Sequence, residues 1–251
     1  MALLILLVLA GWTVLQLIQP ANVLTGHQGP VVGLAFSPDG RLLASAATDN
    51  SIRLWRMSDR RLDRVLTGPV TGGGAWSVTF TPDGRTVIAG YGDGQVRQWR
   101  VMDGQALGAL TGHTGAVTGV AVTPDGSQVV SASEDGTLHI WDTGATTLPR
   151  IITSTVGALS SVAVSPDGQQ IAAGGEQGQV DLWRVSDGSL VRMLSDPNAY
   201  LGHPQTRVAF APNSEEIGSA APAYKGQVTV WRVADGILLN RINVVGDPIR
   251  A

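Results

Sequence analysis

A tight-turn phrase recurs at a nearly fixed interval and constrains everything else. It reads Ser37-Pro38-Asp39-Gly40, Thr81-Pro82-Asp83-Gly84, Thr123-Pro124-Asp125-Gly126 and Ser165-Pro166-Asp167-Gly168, with a worn copy at Ala211-Pro212-Asn213-Ser214. The five prolines are spaced 44, 42, 42 and 46 residues apart, and a tryptophan follows each turn: Trp55, Trp99, Trp141, Trp183 and Trp231. Proline presets φ, aspartate stabilises the turn through its own backbone, and glycine takes positive φ. Short apolar runs flank each turn, as in Ala116–Val122 and Gln128–Ser133 of the third copy. Glu134-Asp135-Gly136 turns the chain again, Thr137–Trp141 gives a third strand, and Thr147–Ile152 a weaker fourth. Four antiparallel strands per ~43 residues make one blade of a β-propeller, so the chain is predicted to be all-β with five blades.

Composition agrees with a turn-rich sheet protein. The chain has 251 residues, 32 of them glycine and 13 proline, which long helices would not tolerate, and 43% apolar residues, enough for a core. The net charge of −3 provides no field to attract nucleic acid. The cluster Arg53, Arg56, Arg60, Arg61 and Arg64 is diluted by Asp59 and Asp63 and reads as a solvated blade edge, with a site for an anionic partner as the alternative. With no cysteine, disulfides and thiolate metal sites are excluded. Lys225 is the only lysine, a bias towards arginine that resembles a high-GC bacterial genome.

Residues 1–18, MALLILLVLAGWTVLQLI, stand apart, since no charged side chain occurs before Asp39. As a helix they would span ~27 Å, close to the ~30 Å of a bilayer core. The segment reads as a membrane anchor or as a signal peptide ending near Val8-Leu9-Ala10, with a packed helix or strand as the alternative. Leu9-Ala10-Gly11-Trp12 imitates a lipoprotein box, but Trp12 stands where a lipidated cysteine is needed. The chain is therefore expected to be membrane-anchored or exported to the extracytoplasmic side, with a cytoplasmic location as the alternative. Residues 19–23 form a linker, 24–242 the blades (copies 24–65, 66–109, 110–150, 151–194 and 195–242), and 243–251 a tail.

Gly112-His113, the Pro-Asp-Gly turn, Ser131, Asp135 and Trp141-Asp142 resemble a WD repeat of the β-propeller family. The resemblance implies a hydrogen-bonded tetrad in each full blade: His113, Ser131, Asp135 and Trp141, and at matching spacing His27, Ser45, Asp49 and Trp55. The second, fourth and fifth copies are eroded at these positions, having for example Ala89 and Ala173 where the serine belongs. Five copies leave three outcomes open: a closed ring, an open arc that needs other blades or associates with itself, or part of a longer propeller.

No nucleophile elbow, phosphate loop, dinucleotide fingerprint or paired-histidine metal motif is present. His139 alternates with Leu138 and Ile140, which suits a blade face. Trp76 shares strand parity with Val78 and Phe80, which predicts a core position, with a binding aromatic as the alternative. Loops between the second and third strands open, in the resembling family, onto the partner-binding face. Tyr91, Glu134, Glu176 and Tyr224 lie there and are the candidate partner contacts, and no catalytic residue, metal or cofactor is expected. The chain reads as a non-catalytic scaffold for another protein or peptide. The alternative is a propeller enzyme or small-ligand binder using the central channel, which would need polar groups converging near the axis.

Overall fold

The computed structural model describes residues 23–68, 73–143, 148–175, 178–196, 205–221 and 227–243. They form five four-stranded antiparallel sheets, each built from consecutive strands. Blade 1 contains β1 (Val31–Phe36), β2 (Leu42–Ala47), β3 (Ser51–Arg56) and β4 (Arg61–Thr67). Blade 2 contains β5 (Ala75–Phe80), β6 (Thr86–Tyr91), β7 (Gln95–Arg100) and β8 (Ala106–Thr111). Blade 3 contains β9 (Val117–Val122), β10 (Gln128–Ser133), β11 (Thr137–Asp142) and β12 (Arg150–Thr153). Blade 4 contains β13 (Ser161–Val164), β14 (Gln170–Gly174), β15 (Val180–Arg184) and β16 (Leu190–Leu194). Blade 5 contains β17 (Arg207–Phe210), β18 (Glu216–Ala221), β19 (Gln227–Arg232) and β20 (Leu238–Asn243). The expected strand count and order hold, and the outermost strands β4, β8 and β12 run a few residues past the expected copy boundaries. Residues 1–18 lie outside the described residues, among which no helix is long and apolar enough to cross a membrane.

The recurring phrase does the turning. Asp39 Oδ1 accepts the Ser37 hydroxyl at 2.6 Å and the Arg41 N–H at 3.0 Å. Gly40, at φ 68°, sends its N–H to the Ser37 carbonyl at 2.8 Å. The same bonds recur at Thr81, Thr123 and Ser165. In the worn copy Asn213 Oδ1 accepts the Glu215 N–H at 3.1 Å, and Ser214 adopts φ 62° where the other copies use glycine. Ser214 Oγ also accepts the Asp167 N–H of blade 4 at 3.1 Å, a bond that glycine cannot make.

The core lies between blades. Ile52, Leu54 and Leu66 of blade 1 share a buried cluster with Val78, Phe80, Tyr91 and Trp99 of blade 2. Ile88 and Val96 pack with Val129 and Trp141, Leu138 and Ile152 with Ile171 and Trp183, and Val180, Leu182 and Leu194 with Ile217 and Trp231. All five repeat tryptophans are buried.

The two ends of the array differ from its interior. Each innermost strand packs on the next, β1 on β5, β5 on β9, β9 on β13 and β13 on β17. Packing of that extent does not join β17 to β1 among the described residues. Leu34 of blade 1 is 63% exposed, whereas its equivalent Val78 in blade 2 is 6% exposed. At the other end Ile242 is 48% exposed, whereas its equivalent Leu194 in blade 4 is 1% exposed. The described blades thus form an arc with an apolar face free at each end, which suits both an arc that needs other blades and part of a longer propeller.

Candidate protein-binding face

The polar residues of blades 1 and 3 come together as a chain of hydrogen bonds. Trp55 Nε1–H donates to Ser45 Oγ at 2.8 Å, Ser45 Oγ meets His27 Nε2 at 2.7 Å, and His27 Nδ1 meets Asp49 Oδ2 at 3.1 Å. In blade 3 the matching distances are 2.9, 2.8 and 3.0 Å for Trp141–Ser131, Ser131–His113 and His113–Asp135. The carboxylate can only accept, so each histidine presents an Nδ1–H to its aspartate. Burial pushes the carboxyls of Asp49 and Asp135 up, but hydrogen bonds outweigh it and hold both well below the usual range. The donors include the Ser51 and Thr137 hydroxyls and the Gln28 and Thr114 N–H groups. The acceptors of these clusters are thus occupied by donors of the same blade.

The eroded blades restore polar balance at one β-strand position, which carries Arg53, Arg97, His139, Asp181 and Thr229 in turn. Blade 2 has neither the histidine nor the serine. There Arg97 pairs with Asp93 and lies 4.3 Å from the centre of the Tyr91 ring. In blade 4 the buried Asp181 accepts the Thr155 hydroxyl at 2.7 Å, the Thr155 N–H at 2.8 Å and the Ser154 hydroxyl at 3.2 Å. In blade 5 Ser219 and Thr229 share a 2.6 Å bond beside Trp231. In blade 3 His139 stacks on His113 with ring centroids 3.7 Å apart. Burial, reinforced by the neighbouring His113 and opposed by the charge of Asp135, pushes His139 down to about 4.

Two sequence expectations are corrected here. Tyr91 is not a surface contact: its ring is fully buried, and its hydroxyl donates to the Asn50 carbonyl at 3.4 Å. The ring fills the space beside Gly68, where a Cβ would come within 2.8 Å of it. The signal was its parity with Val87 and Ala89 on β6, whose side chains share that buried face. Trp76 is not a core residue. A bulge between Ala75 and Ser77 breaks the parity, buries Ala75 instead and leaves the indole half-exposed, with Nε1–H on the Gly73 carbonyl at 3.1 Å.

The β2–β3 type turns and the connections into each new blade share one end of the array. Glu134 is exposed there and borders a cavity of about 370 Å³ with Trp76, Thr118, Ser160, Gln205 and Arg207. A neighbouring cavity of about 360 Å³ is also bordered by Trp76 and Arg207, together with Val31 to Leu34 of β1. Glu176 and Tyr224 lie outside the described residues. Among the described residues no three of His, Asp or Glu converge as a metal cage.

Comparison with known proteins agrees with this architecture. The WD domain, G-beta repeat model matches residues 18–56, 60–100, 104–142 and 148–184. Protein HIR1 of Mycosarcoma maydis is 44% identical over 48 residues, which are 19% of this chain and 5% of that protein. Ribosome assembly protein 4 of Saccharomyces cerevisiae is 52% identical over 44 residues, 18% of this chain and 8% of that protein. Transcription initiation factor TFIID subunit 5 of Caenorhabditis elegans is 57% identical over 37 residues, 15% of this chain and 6% of that protein. The chain thus matches only a small part of each relative's length, and these relatives are eukaryotic, which lends no support to a bacterial origin. Four matched repeats, set on the blades described above, place the chain in the WD domain, G-beta repeat family.

Proposed function

We propose that this WD-repeat protein is a non-catalytic scaffold that binds another protein or peptide on the face formed by the β2–β3 type turns and the inter-blade connections. One observation carries the reading. The repeated polar residues are taken up by turns and intrablade bonds, while residues that vary from blade to blade, Trp76, Glu134 and Arg207, gather around one cavity. Rigid repeat scaffolds place recognition in such varying positions. Glu134, Glu176 and Tyr224 are the proposed contacts. The free faces of blades 1 and 5 also favour self-association, which sedimentation across a range of concentrations would reveal.

The test is capture of partners from the native host on immobilised full-length chain. The variant Glu134→Ala/Glu176→Ala/Tyr224→Ala should melt with the parent and retain less partner. Undiminished capture would move the site elsewhere, and metal-dependent hydrolysis by the parent would overturn the scaffold reading. The apolar run of residues 1–18 supports attachment to, or export across, a membrane. Recovery of the full chain only in the cytosolic fraction of its host would refute that part.

A further inference from the structure

The innermost strands repeat small residues at two positions, with one exception at each. Gly33, Ser77, Gly119, Ser161 and Arg207 are equivalent, as are Val32, Trp76, Thr118, Ser160 and Thr206. The small polar members tie blades 2, 3, 4 and 5 in series. Ser77 Oγ accepts the Val120 N–H at 3.1 Å, and Ser161 Oγ accepts the Val208 N–H at 3.1 Å. Thr118 Oγ1–H donates to the Leu159 carbonyl at 2.7 Å, and Ser160 Oγ–H to the Thr206 carbonyl at 2.9 Å. Arg207 and Trp76 replace these small groups with the two largest side chains of their sets, and both border the same two cavities.

Arg207, like Arg150 and Arg192, bonds a backbone carbonyl rather than a carboxylate. Arg97, Arg100, Arg184, Arg232 and Arg241 each pair with an aspartate. Arg207 has one direct bond, from NH1 to the Ser160 carbonyl at 3.2 Å, and no carboxylate pairs with it among the described residues. Burial pushes its guanidinium below the usual arginine range. A partly desolvated guanidinium with most of its five N–H donors uncommitted attracts a planar oxyanion that can accept two bonds in parallel. The Trp76 indole is tethered at its nitrogen and half-exposed beside the same cavities, so it offers a fixed surface for the carbons next to such a group.

We infer that Arg207 and Trp76 form a receptor for one carboxylate of a bound peptide, held by paired N–H donors of Arg207, with the adjoining carbons on the Trp76 ring. The inference rests on the protein-binding reading above and names the chemistry of its ligand. Glu134 borders one of these cavities and repels further acid, so the site takes a single carboxylate with neutral or basic neighbours. An aspartate or glutamate side chain and a peptide C-terminus both supply that group.

The test uses a random decapeptide library displayed in two formats, one with the C-terminus fused and one with it free, panned on the full-length chain. Enrichment of an Asp or Glu in the fused format assigns the side chain, and enrichment in the free format alone assigns the terminus. A synthetic peptide of the enriched sequence should bind Arg207→Gln at least ~10-fold more weakly. Amidation, or Gln for the acid, should give the same loss, and the two changes together should cost no more than either alone. Trp76→Ala should weaken binding in step. Arg207→Lys, which keeps the charge without the planar pair of donors, should restore only part of the affinity, and this separates recognition from folding if the glutamine variant melts early. Enriched peptides with no shared carboxylate, or equal binding to Arg207→Gln, would overturn the assignment. The scaffold reading would survive that result if those peptides still displaced the captured partner.

Discussion

Phe36 and Phe80 hold equivalent places on consecutive blades, yet Phe36 is 62% exposed and Phe80 is 6% exposed. The difference is the presence or absence of a preceding blade. Phe80→Ala should therefore destabilise by about 3–5 kcal/mol, as expected for emptying a large buried aromatic site. Phe36→Ala should cost under about 1 kcal/mol. Denaturant unfolding of both variants checks this, and equal losses would show that the first blade is covered in solution.

The tetrads make a second prediction. Trp141→Ala should destabilise by about 3–5 kcal/mol. Asp135→Ala should cost about 1–3 kcal/mol by leaving the Thr114 N–H and the His113 Nδ1–H without their acceptor. Thermal melts in which both variants matched the parent would remove the tetrad from the account.

Tyr91 separates packing from recognition. Its hydroxyl bond to Asn50 is long, at 3.4 Å, so Tyr91→Phe should cost less than about 1 kcal/mol and leave partner capture unchanged. Tyr91→Ala should cost about 3–5 kcal/mol, because the ring fills blade 2 beneath the Arg97 guanidinium. Loss of capture by the phenylalanine variant at unchanged stability would return Tyr91 to the binding face.

Acid should weaken the fold in two stages. His139 titrates near 4 when folded, below its ordinary 6.5, because burial and the stacked His113 disfavour its charged form. The unfolded chain then binds the extra proton first, so stability is full above about pH 6.5 and falls as pH drops towards 4. Asp49 and Asp135 are shifted down by their hydrogen bonds, so their contribution is lost only below about pH 4. His139→Thr, which installs the residue found at that position in blade 5, should flatten the first stage by at most about 1.4 kcal/mol per pH unit. An unchanged slope in urea melts between pH 4 and 6.5 would place the titrating group elsewhere.

Much of this architecture can be read from one recurring turn. The Pro-Asp-Gly period and its following tryptophan set five sheets of four strands, because turn chemistry and strand alternation are local properties. The tetrads of blades 1 and 3 were legible for the same reason, at matching intervals. Replacements were not. Arg97 supports Asp93 and Tyr91 only once two strands pair, and Asp181 meets Thr155 across 26 residues, so neither compensation shows at a single position. Trp76 was misread because one bulge reverses strand parity without altering the apolar pattern. Arg207 stands out only when the innermost strands are aligned by blade.

The central claim is that this chain works by holding a partner on one face of its blades. Hydrogen–deuterium exchange of the full-length chain, with and without its captured partner, tests it most directly. The account predicts slowed exchange in the turn at residues 134–136 and in the connecting segments at 157–160 and 205–207. Protection confined to the opposite turns at 37–40, 81–84, 123–126 and 165–168 would contradict it.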